Sequence, residues 1–128
     1  MTAKTSLVKT IKRLEHARST NIPIIIETKQ RSIEQLIDTL LAEKTITVLK
    51  NYTNSRAVKV ACAVNSIEAL AQTIKVRNTD ISEWSEKLLK SKNGYILMST
   101  TKGVISHRDA VKHKIGGEIL GFVANSSG

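Results

Sequence analysis

The sequence predicts an α+β fold, and three observations lead there. Two stretches in the first half carry apolar residues at helical spacing, short β-branched runs lie between and after them, and 128 residues hold 41% hydrophobic against 24% charged side chains. That length buries a core without disulfide or metal staples, as one domain or as two small lobes sharing a core.

Taken in order, Lys4 to Arg18 places Leu7, Val8, Ile11 and Leu14 on one helical face and leaves Lys9, Lys12, Arg13 and His16 on another. The acid-poor start resembles a transit peptide in composition, but it runs into the next structured segment without a cleavage signal and is read as part of the mature fold. Ile24 to Thr28 is β-branched, with Pro23 at its margin, and predicts a strand. Ser32 with Gln35 has the spacing of a capping box, and Ile33, Leu36, Ile37, Leu40 and Leu41 form the apolar stripe behind it. Thr45–Leu49 and Arg56–Val64 alternate as strands around the turn-rich Asn51–Ser55, which predicts a hairpin. Within that alternation Cys62, the only cysteine, is expected to be a small core residue.

Ser66–Val76 is ambiguous. Ile67, Leu70, Ala71 and Ile74 follow helical spacing, while Thr73–Val76 has strand composition; periodicity alone favours a helix. Asp80 or Ser82 is a candidate cap for a short helix with Trp84, Leu88 and Leu89 inward, ending near Asn93 and Gly94. Tyr95–Met98 predicts a strand, followed by a polar loop to Gly103. Ser106 with Asp109 is a second capping box, and Lys112, His113 and Lys114 fall in the last turn of the helix it starts, with Gly116 and Gly117 as its stop. Ile119–Val123 is the final strand and Asn125–Gly128 a frayed tail.

Net charge is +9, which points to a polyanionic partner. The cations cluster. Lys4, Lys9, Lys12, Arg13 and Arg18 face only Glu15; Lys44, Lys50, Arg56 and Lys59 have no acid between them; Lys87, Lys90, Lys92, Lys102, Arg108, Lys112 and Lys114 face only Asp109. Three clusters imply more than one phosphate-contacting surface. With Tyr52, Trp84, Tyr95 and Phe122 as the only aromatics, stacking of successive single-stranded bases is disfavoured, and folded RNA or duplex read through its backbone fits better.

Other chemistries lack their residues. His16, His107 and His113 do not have the paired spacing of a metal site. Ser99 or Ser106 beside His107 is imaginable as a hydrolase pair, but neither sits in a G-x-S-x-G elbow and Ser106 reads as a helix cap. Thr101-Lys102-Gly103 lacks the glycine spacing of a Walker loop, so no nucleotide cofactor is expected. No small-molecule substrate and no membrane span are expected either; the longest apolar runs fall far short of the roughly 20 residues a span needs. What is left is a grip on RNA backbone by Ser99, Thr100, Thr101 and Lys102, with Gly94 and Gly103 shaping the loop. In the blander reading those hydroxyls merely satisfy loop backbone. The lysine and the surrounding charge favour RNA.

At these residues the chain resembles a known family. Gly94 to Ile105, then Ala110, then Gly116, Gly117, Glu118 and Ile119, are similar to the carboxy-terminal signature of the universal small-ribosomal-subunit protein eight family, an rRNA-binding structural protein. Ser99–Gly103, Arg108 and Glu118 look like its bacterial version. Asp80–Trp84, His107 and Leu120–Phe122 look like its archaeal and eukaryotic version. Met98 and Val111 are looser than the signature prefers, and Asn78-Thr79 stands where bacterial members carry Pro-Gly. The first half matches in layout only.

The resemblance implies a strand at Ala71–Val76, against the periodicity, and two α+β lobes, residues 1–66 and 67–128. The first is helix-strand-helix-strand-strand and the second mostly β with a short helix. It implies that the second lobe grips a central-domain helix of small-subunit rRNA through Ser99–Gly103, and that the first touches a neighbouring rRNA helix. The candidate RNA contacts are therefore Ser99, Thr100, Thr101, Lys102, Gly103, Arg108, Lys112 and Lys114, with Lys9, Lys12 and Arg13 on the first helix. Neighbouring small-subunit proteins are expected partners, and no catalysis is expected. The divergent first half together with the mixed signature suggests an organellar ribosome, mitochondrial favoured over plastid, with bacterial and eukaryotic cytoplasmic ribosomes as alternatives. A free-standing RNA-binding regulator is the reading from charge alone.

Overall fold

The protein is described here by a computed structural model that covers residues 3–90 and 93–125. The expected tail at 126–128 and Lys92 of the third basic cluster lie outside the described residues; Asn125 itself ends a strand and its N–H bonds the Asn93 carbonyl.

Helix α1, Ala3–Thr20, buries Leu7, Ile11, Leu14 and Ala17. Steps of three and four put these on one stripe. The buried Thr10 gives its hydroxyl to the Ser6 carbonyl at 2.9 Å, so no polar atom is stranded. Strand β1, Ile24–Glu27, follows, then α2, Arg31–Ala42, with Ile33, Leu36, Ile37 and Leu40 buried. Gln30, not Ser32, is the N-cap of α2. Its carbonyl accepts from the Ile33 and Glu34 amides and no side chain caps the end, so the Ser32–Gln35 box does not form. Strands β2, Ile46–Asn51, and β3, Ser55–Val60, make the expected hairpin, and β1 pairs on the far side of β3 to give a three-stranded antiparallel sheet. Since β3 stops at Val60, Cys62 falls in the turn beyond it and is exposed, not a core residue.

The ambiguous stretch is a strand. β4, Val64–Val76, pairs with the final strand β7, Gly117–Asn125, and the pairing is irregular: Ala69 faces Gly121 and Ile74 faces Ile119, so five steps along β4 answer two along β7. A bulge of that size breaks the period of two and mimics helical spacing. A 3-10 turn at Asn78–Asp80 leads into α3, Ile81–Leu89, which ends when Lys90 takes the left-handed conformation at φ 50°, ahead of the expected stop at Asn93 and Gly94.

β5, Gly94–Thr100, is central to the second sheet, ordered β4-β7-β5-β6. Tyr95 and Leu97 enter a core built with α1, α2 and the first sheet, while Ile96 and Met98 enter a second core with α3 and α4. Burial on both faces explains why β5 reads as a continuous apolar run rather than an alternation. β6, Gly103–Ser106, was not expected from the sequence; only its two apolar residues, Val104 and Ile105, hinted at it. It pairs with β5 and turns the polar loop into a hairpin with Thr101 and Lys102 at its tip. α4, His107–Lys112, has Ser106 as its N-cap, the hydroxyl accepting from the Asp109 amide at 3.3 Å. The helix ends at Lys112, and Lys114 at φ 59° makes the left-handed stop in place of Gly116 or Gly117.

Candidate nucleic-acid interface

The β5–β6 hairpin holds its own shape. The Thr100 hydroxyl donates to the Gly103 carbonyl at 2.9 Å and accepts from the Lys102 amide at 3.1 Å, so that oxygen serves the loop as the blander reading had it. Thr101 and Lys102 are exposed at the tip, and Ser99 and Thr100 are half-buried. A tip stapled this way presents its lysine with little backbone freedom left to lose on contact.

Helix α2 supports the hairpin from behind. Thr39 gives its hydroxyl to the Val104 carbonyl at 2.6 Å. Gly103, at φ 101°, lies so close to Gln35 that a Cβ would sit 2.7 Å from its Oε1, and the positive φ disfavours any other residue as well. Arg31 and Gln35 of α2 thereby line one open groove with Thr100–Gly103 and His113. Sequence reasoning missed Arg31, Gln35 and Thr39 as neighbours of this loop. No local signal marks a contact between residues 65 positions apart.

Two further ties join the turn after α2 to α4 and to β5. The Arg108 guanidinium meets the Glu43 carboxylate at 2.9 Å, and the buried Tyr95 and Thr45 hydroxyls bond each other. Burial holds the Tyr95 phenol well above its ordinary range. Arg108 is exposed but already ion-paired, which makes it a different kind of candidate from Lys112, exposed in the last turn of α4, and Lys114, exposed just beyond it.

The first-helix candidates lie on two other grooves. Lys9 and Lys12 line one with Ala71–Thr73 of the β4 bulge. Lys9 and Arg13 line another with Lys29 and Gln30, and Arg13 donates to the Ile25 carbonyl at 2.7 Å. This second groove reaches Gln30, next in the chain to the Arg31 that borders the hairpin groove. The middle cluster differs in space from its appearance in sequence: Arg56 lies 3.7 Å from Glu34 and 3.6 Å from Asp38, acids supplied by α2.

The imagined serine–histidine pair is structural. Ser106 caps α4, and His107 Nδ1 accepts from the Ile96 amide at 2.9 Å. Burial, helped by Arg108, lowers the His107 pKa and keeps this acceptor unprotonated. Among the described residues no group of three or more His, Cys, Asp or Glu side chains could hold a metal, and no helix is long and apolar enough to cross a membrane.

The family model that matches this chain is one of structural ribosomal components, not enzymes. The chain belongs to the ribosomal protein S8 family, which residues 5–124 match. It is 24% identical over 129 residues to small ribosomal subunit protein uS8 of Methanocorpusculum labreanum, covering 96% of this chain and 99% of that protein. It is 35% identical over 60 residues to small ribosomal subunit protein uS8mz of Arabidopsis thaliana, and 34% over 67 residues to uS8 of Methanosphaerula palustris. The last two matches cover 46% and 52% of both chains respectively, so the chain spans about half the length of those curated relatives.

Proposed function

We propose that the protein is a structural constituent of the small ribosomal subunit that binds and organises the central domain of small-subunit rRNA. The observation that carries this is the stapled hairpin: Lys102 stands at its tip, beside a groove bordered by Arg31 and His113, on a chain of the S8 family. In this reading Thr101 and Lys102 meet phosphate or ribose, Ser99, Thr100 and Gly103 shape the approach, and Lys112, Lys114 and Arg108 add charge beside them. The lobe of residues 67–128 makes this contact, and Lys9, Lys12 and Arg13 of the lobe of residues 1–66 meet a second rRNA segment. Neighbouring small-subunit proteins complete the surroundings.

The ribosome is proposed to be mitochondrial. The mixed signature supports this, as does likeness to two Arabidopsis thaliana proteins, uS8mz and uS8my, whose names carry an m suffix that the archaeal and yeast relatives lack.

Affinity for a central-domain rRNA transcript should fall by about one logarithmic unit per logarithm of salt for each phosphate neutralised. Binding indifferent to salt would sink the proposal. Endogenous protein should also stay with small subunits, in sedimentation profiles from purified mitochondria, after a high-salt wash; release into the light fractions would favour a free-standing regulator.

A further inference from the structure

Asn78 lies in the 3-10 turn that connects β4 and α3. Its side-chain amide donates to two backbone carbonyls, Ala110 in α4 and Ile115 in the connection after it, each at 3.1 Å. These acceptors bracket Val111–Lys114, the segment that carries the exposed Lys112, His113 and Lys114. Its local sequence determines that segment poorly. α4 has six residues, too few to persist alone, and Lys114 takes a left-handed φ of 59° without the help of glycine or asparagine. The turn is held from outside instead. The Ala110 carbonyl accepts from the Ile115 amide as well as from Asn78, and Gly116 presses the next residue pair onto the end of β4. A Cβ there would lie 2.4 Å from the Val76 carbonyl oxygen and 3.2 Å from the Asn78 nitrogen. A proline at position 78 would have no side-chain N–H to offer.

We infer that Asn78 is a positioning residue for RNA binding: by clamping both ends of Val111–Lys114 it holds Lys112 and Lys114 in register with the Thr100–Gly103 hairpin. His113, between those lysines, lines the same groove as Lys102, which places the clamped turn and the hairpin tip on one surface. The inference rests on the rRNA reading above.

The test pairs Asn78→Ala with Asn78→Leu, which keeps nearly the shape of asparagine without its donors. Each is titrated with an in vitro transcript of the central domain of the cognate small-subunit rRNA at several salt concentrations. Both should bind at least about five-fold more weakly, with a log-log salt slope shallower by about one for each of Lys112 and Lys114 that loses its phosphate. Lys114→Ala should weaken the wild type but add nothing in either Asn78 background, whereas Lys102→Ala should cost the same factor in all three. In free protein the Ile115 amide should exchange faster in both variants while β5 and β7 amides keep their protection. Wild-type affinity in either variant, an equal Lys114→Ala factor in every background, or an unchanged Ile115 exchange rate would overturn the inference. So would failure of both variants to fold, which would make Asn78 a folding determinant. A wild-type protein whose binding ignores salt would instead overturn the rRNA reading itself.

Discussion

Two of the basic clusters look alike in sequence and differ in space. Lys44, Lys50, Arg56 and Lys59 have no acid among them, yet Arg56 sits against Glu34 and Asp38, which α2 brings across from the other side of the hairpin. In the other cluster Lys102 at the tip of the β5–β6 hairpin, Lys112 at the end of α4 and Lys114 in the turn beyond it are exposed, while Arg108 pairs with Glu43 and Lys87 with Glu83. Helix α2 stands behind both outcomes. Its acidic side takes charge from the first sheet while Gln35 and Thr39 brace the hairpin that carries Lys102. A run of cations along the chain is therefore not a cationic surface until the acids folded onto it are counted.

Loosening α2 should have the largest effect on both clusters. Leu36→Ala removes a side chain with no exposure and should cost about 2–5 kcal/mol in urea denaturation, through the cavity it leaves. Both clusters should lose their definition together, and a loss below about 1 kcal/mol would mean that α2 is not the common support.

Lys102→Ala and Arg56→Ala contrast the clusters directly. The first should flatten the salt slope of rRNA binding by about one and leave the unfolding midpoint unchanged. The second should leave the slope unchanged and cost at most about 1 kcal/mol of stability, since Glu34 and Asp38 are largely exposed. Equal losses of thermal stability in the two variants would remove the distinction.

The smallest effect is a pH dependence confined to the hairpin's base. The folded His107 has a lowered pKa, so below its ordinary value of 6.5 the unfolded chain binds the proton more readily than the folded one. Its contribution to stability is present at higher pH and declines as pH falls through 6.5, because an imidazolium cannot accept the Ile96 amide. Comparing urea midpoints of wild type and His107→Gln across that range isolates the term. An identical pH dependence in both proteins would show that His107 contributes none of it.

Much of this was legible in advance where one element's own pattern decides its structure. The stripe of α1, the stripe of α2, the β2–β3 hairpin and the Ser106 cap follow from spacing along a few residues. β4 was not legible by periodicity because its bulge counterfeits a helical repeat, and the resemblance corrected it. Ser32 and Cys62 were misplaced for a related reason. A two-residue shift in where α2 begins, or a four-residue shift in where β3 ends, is decided by packing against partners distant in sequence. For the candidate site, the lysine and hydroxyls of Ser99–Lys102 stood out, whereas Arg31, Gln35 and Asn78 did not, since each matters through a residue more than thirty positions away.

By itself, then, the sequence determined the fold class, the inward faces of the long helices, the cationic balance and the signature at Gly94–Ile119, all of which depend on residue type and short spacing. The tertiary structure decided which cations remain unneutralised, that the polar loop is a two-residue hairpin tip, and that α2 and Asn78 hold its surroundings. Those outcomes depend on which long-range partners meet, and a carboxylate or an amide from a distant element changes what a lysine or a turn can do without leaving any mark in the residues beside it.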